Sequence, residues 1–283
     1  MKIYFFIVCL AGTMTQKVLA QKHINNFPDY DHSLPLEAKS DTTANVSFGD
    51  FDGDGHLDIL LVKGRHWPIV DRVLLGDGKG GIRKAYDLGK VSDRSYTGGL
   101  ADFNGDGFLD IAISNDAPDR KLVYFNDGKG KFTANCIAFA PYPATTIYPA
   151  DINKDGFIDL AVPHRDGGQS YVYLGSSDMA FSDTHRIPFG PSNATIRVAA
   201  VADFNGDGIP DIVTIDENKG VNIYFGQKDQ TFSAGISLAD SKGTVYGFAV
   251  GDFNEDGIPD IASARSDAPN VLYFGNIKSK NRK

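Results

Sequence analysis

Five copies of one acidic nine-residue stretch recur about every fifty residues, each between two extended apolar runs. Together they predict an all-β chain folded as a β-propeller of five four-stranded blades. The first copy reads Asp50-Phe-Asp52-Gly-Asp54-Gly-His56-Leu-Asp58, and the others open at Asp102, Asp151, Asp203 and Asp252, in steps of 52, 49, 52 and 49 residues. After each loop come an apolar strand, a polar connection and a second strand, such as Val73-Leu-Leu75 or Val221-Asn-Ile-Tyr-Phe225. A Gly-rich turn follows, then a fourth extended stretch opening near Ile82, Phe132, Phe181 or Phe232. Four short antiparallel strands per repeat make one blade.

Taken in order, residues 1–20 read as a cleaved secretory signal. Lys2 gives the positive end, Ile3 to Met14 the apolar run and Val18-Leu-Ala20 the small-residue cleavage site. That run falls short of the roughly 20 apolar residues a membrane span needs, and no later stretch has transmembrane character. Export to a secreted or periplasmic location is therefore expected. The blades are expected at about 41–92, 93–142, 143–192, 193–242 and 243–283. Only a short polar tail follows Phe274-Gly275, so the last blade lacks a fourth strand of its own. Residues 21–40 are expected to close the ring, with Phe27 to Leu36 (within 24–38) adding the outer strand of that blade and covering its edge.

Within each copy, oxygen-bearing side chains hold positions 1, 3, 5 and 9, and glycine holds position 6. A hard divalent cation suits that set, because Ca²⁺ takes about 6–8 oxygen ligands. The candidate ligands are Asp50, Asp52, Asp54 and Asp58; Asp102, Asn104, Asp106 and Asp110; Asp151, Asn153, Asp155 and Asp159; Asp203, Asn205, Asp207 and Asp211; and Asp252, Asn254, Asp256 and Asp260. Position 12 carries Leu61, Ile113, Val162, Thr214 or Ser263, so the closing glutamate of a helix-flanked EF-hand is missing. The loops instead join strand to strand.

With these flanks the loops resemble FG-GAP repeats (also called VCBS repeats), found in the integrin α-subunit propeller and in many secreted bacterial proteins. Asp116-Ala-Pro118 and Asp267-Ala-Pro269 stand where that family often has Gly-Ala-Pro, and Phe48-Gly49 matches the Phe-Gly of the name. The resemblance covers nearly all of the chain after the signal and implies about five Ca²⁺, one per loop. Integrin-type propellers have seven blades, and this chain has length for five.

Charge agrees with a metal rather than a polyanionic partner. Removing residues 1–20 takes away Lys2 and Lys17 and no acid, which moves the net charge from −8 to −10. Positions 1, 3, 5 and 9 of the loops carry sixteen acids, and five Ca²⁺ would bring the chain's net charge to about zero. Nucleic acid is a poor partner for such a chain. Cys9 leaves with the signal and Cys136 alone makes no internal disulfide, so calcium is the expected fastener of an exported monomer.

In a four-stranded meander the calcium loops share one face with the Gly-rich turns. The opposite face carries what varies between copies. Five residues past the last loop acid stand Lys63, Asn115, His164, Asp216 and Arg265; six before the first stand Ala44, Tyr96, Thr145, Arg197 and Tyr246. Near them lie His66, Trp67, Arg94, Arg120, Tyr148 and Arg165. Aromatic rings beside arginine and histidine suit a saccharide, above all an acidic one. The ligand-binding candidates are His66, Trp67, Tyr96, His164, Arg165, Arg197 and Tyr246. A secreted binding module for carbohydrate or a protein partner is the first reading. A polysaccharide lyase acting on uronic acids is the alternative, with Tyr148, His164, Arg165 and Arg197 as its acid, base and charge-neutralising groups.

Overall fold

The computed structural model describes residues 33–39, 41–133, 142–217, 219–238 and 244–276. They form five antiparallel sheets and no helix. The first is β1 (Thr43–Gly49), β2 (Asp58–Lys63), β3 (Arg72–Gly76) and β4 (Ile82–Asp87), paired in chain order as an up-and-down meander. The second is β5 (Ser95–Ala101), β6 (Asp110–Asn115) and β7 (Leu122–Tyr124). The third runs β8 (Tyr148–Ala150), β9 (Asp159–Val162), β10 (Ser170–Tyr173) and β11 (Arg186–Phe189). The fourth runs β12 (Ile196–Ala202), β13 (Asp211–Asp216), β14 (Gly220–Tyr224) and β15 (Ile236–Ser237). The fifth is β16 (Thr244–Gly251), β17 (Asp260–Ser266) and β18 (Val271–Tyr273). These are the five expected blades.

In blades 1 to 4 the second strand is mostly apolar because both of its faces are buried. On β2, Leu60 and Val62 face the second blade; on β9, Leu160 and Val162 face the second blade while Ala161 faces the fourth. Four apolar clusters result, one at each junction from blade 1 to blade 5. The expected fourth-strand openings at Phe132 and Phe181 do something else. Phe132 sits edge-on to Phe51 with centroids 5.7 Å apart, and Phe181 meets Phe103 at 5.8 Å. The second residue of one loop thus plugs the junction with the next blade. In the third blade the outer strand starts later, at Arg186.

Blade 5 breaks this rule. Phe253 holds the same loop position as the buried Phe51, Phe103 and Phe204 but is 64% exposed, beside an exposed Phe274. At the other end, Val46 and Phe48 lie exposed on the face of blade 1 turned away from blade 2. No core cluster among the described residues joins blade 5 to blade 1. The expected closing strand lies mostly outside the described residues. Its described part, 33–39, forms no strand and is tied to the first blade, where Glu37 accepts from Lys63 Nζ at 2.6 Å and from Arg72 Nη1 at 3.2 Å.

Candidate functional site

The nine-residue loops fold by satisfying their own amides. Asp102 accepts from Gly105 N at 2.7 Å and from Gly107 N at 2.7 Å, and Asp203 repeats this with Gly206 N and Gly208 N at 2.7 Å each. The position-5 acid caps the turn two residues on, as Asp106 does for Phe108 N at 2.9 Å. Position 6 bends at φ +83 to +91° in all five copies, a left-handed conformation that a side chain would strain.

The acid at position 9 forms a clasp. Asp58 accepts from Phe51 N at 2.7 Å and from Gly76 N at 2.8 Å. Asp110, Asp159, Asp211 and Asp260 accept in the same way from loop position 2 and from the residue that matches Gly76 at the end of the third strand. That residue is glycine four times, because the loop backbone lies against it. A Cβ on Gly226 would stand 2.3 Å from the Pro210 carbonyl. Blade 2 has Asn126 instead, whose Nδ2 donates across the junction to the Phe51 carbonyl at 2.7 Å. Burial pushes Asp110, Asp159 and Asp211 up to about 6, against the pull of these amides. A nearby divalent cation would favour their ionised form.

The first loop fits such an ion. Oxygen atoms of Asp50, Asp52 and Asp58 all lie within 4.8 Å of one another, and Asp52 Oδ1 is buried with no hydrogen-bond partner. The expected ligands at positions 1, 3 and 5 face the same turn. Those at position 9 already hold two amides, although a carboxylate has lone pairs to spare.

On the opposite face, some of the expected residues converge and others do not. Trp67, 63% exposed, lies edge-on to His66 with centroids 6.0 Å apart. His66 Nδ1 is 3.4 Å from the Tyr96 hydroxyl, and the Arg165 guanidinium lies 5.5 Å from the centre of the Tyr96 ring. Arg165 donates to Asp116 at 2.6 Å. Trp67, His66, Tyr96 and Arg165 therefore form one strip across blades 1, 2 and 3.

The other candidates stand elsewhere. His164 is fully buried, with Nε2 3.3 Å from the Tyr173 hydroxyl and with Tyr142, Tyr171 and Tyr173 packed edge-on around it. Burial, with Lys121 beside it, pushes its pKa down to about 3. It cannot meet a ligand on the face. Its counterparts Lys63, Asn115 and Asp216 are buried as well. Tyr148 packs partly buried between the clusters of the last two junctions. Arg197 is exposed and paired with Glu217, and Tyr246 is 70% exposed on blade 5.

The innermost strands explain how the exposed set is aimed. Their pairing slips at Thr43/Asn45, Ser95/Thr97, Ile196/Val198 and Val245/Gly247. The residues left over are Ala44, Tyr96, Arg197 and Tyr246, and a bulge re-aims the side chain it frees. Sequence reasoning missed Asp116 and Glu217, the acids that hold the two arginines. Both follow the second strand at corresponding places in their blades, and that was the available signal.

No curated protein matches the sequence. Among solved structures, a lectin of Agrocybe aegerita that recognises non-reducing terminal N-acetylglucosamine is similar at 19% identity and a TM-score of 0.54, over 83% of this chain and 67% of that one. The V. cholerae biofilm matrix protein Bap1 aligns at 20% identity and a TM-score of 0.47, over 81% of this chain and only 36% of its own length. The model of the FG-GAP-like repeat matches three overlapping segments, 102–162, 151–214 and 203–263. Those segments take in the second to fifth loops, and the chain belongs to the FG-GAP-like repeat family.

Proposed function

We propose that this is an exported, calcium-stabilised propeller that binds carbohydrate, with an acidic polysaccharide as the favoured class, on the face opposite its metal loops. The observation that carries the reading is the strip Trp67, His66, Tyr96 and Arg165. It offers an exposed indole for stacking on a sugar ring, a histidine and a tyrosine hydroxyl for hydrogen bonds, and a guanidinium for a carboxylate. A protein partner is the other ligand this strip would suit. Residues 1–20 are the export signal in this reading, and the loops hold about one Ca²⁺ each through their acids and asparagines.

The lyase alternative loses its acid and base, since His164 is sealed from solvent and Tyr148 packs half-buried against the core clusters of the last two junctions. The test is a panel of neutral and uronate-containing polysaccharides titrated against the mature protein, with absorbance of an unsaturated product followed in parallel. Binding of acidic polymers that Trp67→Ala and Arg165→Ala each weaken about tenfold or more supports the reading. Binding that both variants leave unchanged overturns it, and an absorbance rise would restore the lyase.

A further inference from the structure

Among the candidate ligand positions 1, 3, 5 and 9, the first loop differs from the other four in one residue. Position 3 is Asp52, where the others have Asn104, Asn153, Asn205 and Asn254. In three of the asparagine loops the side-chain amide closes the turn. Its Nδ2 donates to Oδ2 of the position-5 acid at 2.9 Å, from Asn104 to Asp106, Asn153 to Asp155 and Asn254 to Asp256. A carboxylate at position 3 has no hydrogen to give. In the first loop the donor comes from β4, where Arg83 reaches back so that its Nη2 stands 3.1 Å from Asp54 Oδ2 and also contacts Asp52 Oδ2. Its Nε donates to the Gly76 carbonyl at 2.9 Å, which fixes the guanidinium from behind. Asp52 is thereby turned with one oxygen on Arg83. Its other oxygen, Oδ1, is buried without a partner in a side chain only 9% exposed.

We infer that Asp52 and Arg83 together replace the asparagine of the other loops, and that Arg83 is a positioning residue that sets the calcium affinity of the first site. The replacement matches in both hydrogen bonds and charge. Counting the ligand positions, four acids and one guanidinium leave the first loop at a net −3, the value that the acids at positions 1, 5 and 9 give each other loop. The inference rests on the calcium reading of the loops. Removing Arg83 alone strips a unit positive charge from beside a divalent ion, so the empty loop repels itself and the filled one tightens. Removing the Asp52 charge alone leaves a guanidinium facing the ion, so binding weakens. Removing both charges restores the balance.

The experiment follows hydrogen exchange of the peptide carrying residues 50–58 while Ca²⁺ is added to chelator-stripped mature protein. Peptides carrying the other four loops serve as internal standards. Arg83→Gln is expected to lower the calcium midpoint of that peptide about tenfold at low salt and less at high salt, leaving the other loops unmoved. It should also lower the melting temperature of the metal-free protein, a readout independent of calcium. Asp52→Asn should raise the midpoint, and the double variant should return to within about twofold of wild type. An unchanged midpoint in Arg83→Gln, or a double variant that behaves as the sum of the singles, overturns the pairing while the other loops still report calcium. Silence in every loop overturns the calcium reading and this inference with it.

Discussion

Replacing one phenylalanine at the same loop position in two blades should give very different results. Phe103 is 4% exposed and meets Phe181 edge-on at the junction of blades 2 and 3, whereas Phe253 is 64% exposed. Truncating a buried phenylalanine to alanine costs about 3–5 kcal/mol, from lost transfer energy, the cavity left behind and the lost aromatic pair. Phe253 keeps only about a third of that burial, so its alanine variant should cost roughly 1 kcal/mol or less. For a chain of this size about 1 kcal/mol moves the melting temperature by roughly 2–4 °C. Phe103→Ala should therefore lose on the order of 6–20 °C and Phe253→Ala no more than about 4 °C. The assay is calorimetric melting of the mature protein in excess Ca²⁺, at several protein concentrations. A Phe253→Ala loss as large as that of Phe103→Ala would refute the exposure of Phe253 seen among the described residues and show that something covers it. A small loss for Phe103→Ala would refute the plug itself.

Other expectations follow from buried charge. Burial holds the Lys121 ammonium down at about 7, with Asp116 opposing the shift and Arg165 adding to it. The folded state then binds fewer protons than the unfolded chain between about pH 7 and 10, so stability should rise with pH through that window, by at most about 1.4 kcal/mol per pH unit. Lys121→Met should flatten that rise, and melting temperatures taken from pH 7 to 9 would show it. Glu37→Gln should destabilise the first blade by roughly 1–3 kcal/mol, because Lys63 is buried and holds Glu37 at 2.6 Å; denaturant unfolding measures it. Asp106→Ala should lower calcium content and melting temperature yet leave polysaccharide affinity within about twofold in excess Ca²⁺, since its loop lies on the other face.

The repeat made most of the scaffold legible. A period near fifty, four extended runs per period and a loop too acidic to be only a turn are all local signals, and the five sheets follow from them. The clasp at position 9 was legible as an acid but not as a receiver of two amides, because the second donor lies 15–18 residues away across a turn. Comparing copies did pick out the variable residues at both ends of the inner hairpin, but it could not rank them by exposure. His164 and Tyr96 look alike as unrepeated polar residues. One stands just past a second strand that is buried on both faces, and the other stands at a bulge on the inner strand. The difference comes from register. A shift of one residue turns a side chain from one face to the other, and such a shift depends on cross-strand pairing that a sequence does not display. Arg83 escaped notice for a similar reason, since it meets its acids 29 and 31 residues away.

The most direct measurement is calcium content together with thermal stability. Mature protein passed over a desalting column would be assayed for metal by atomic emission and melted in chelator, in Ca²⁺ and in Mg²⁺. The expected result is about five Ca²⁺ per chain, a melting temperature that falls by roughly 10 °C or more in chelator (from mass action at sites filled far above their Kd), full recovery with Ca²⁺ and poor recovery with Mg²⁺. Metal-free protein with an unchanged melting curve would contradict the calcium reading of all five loops.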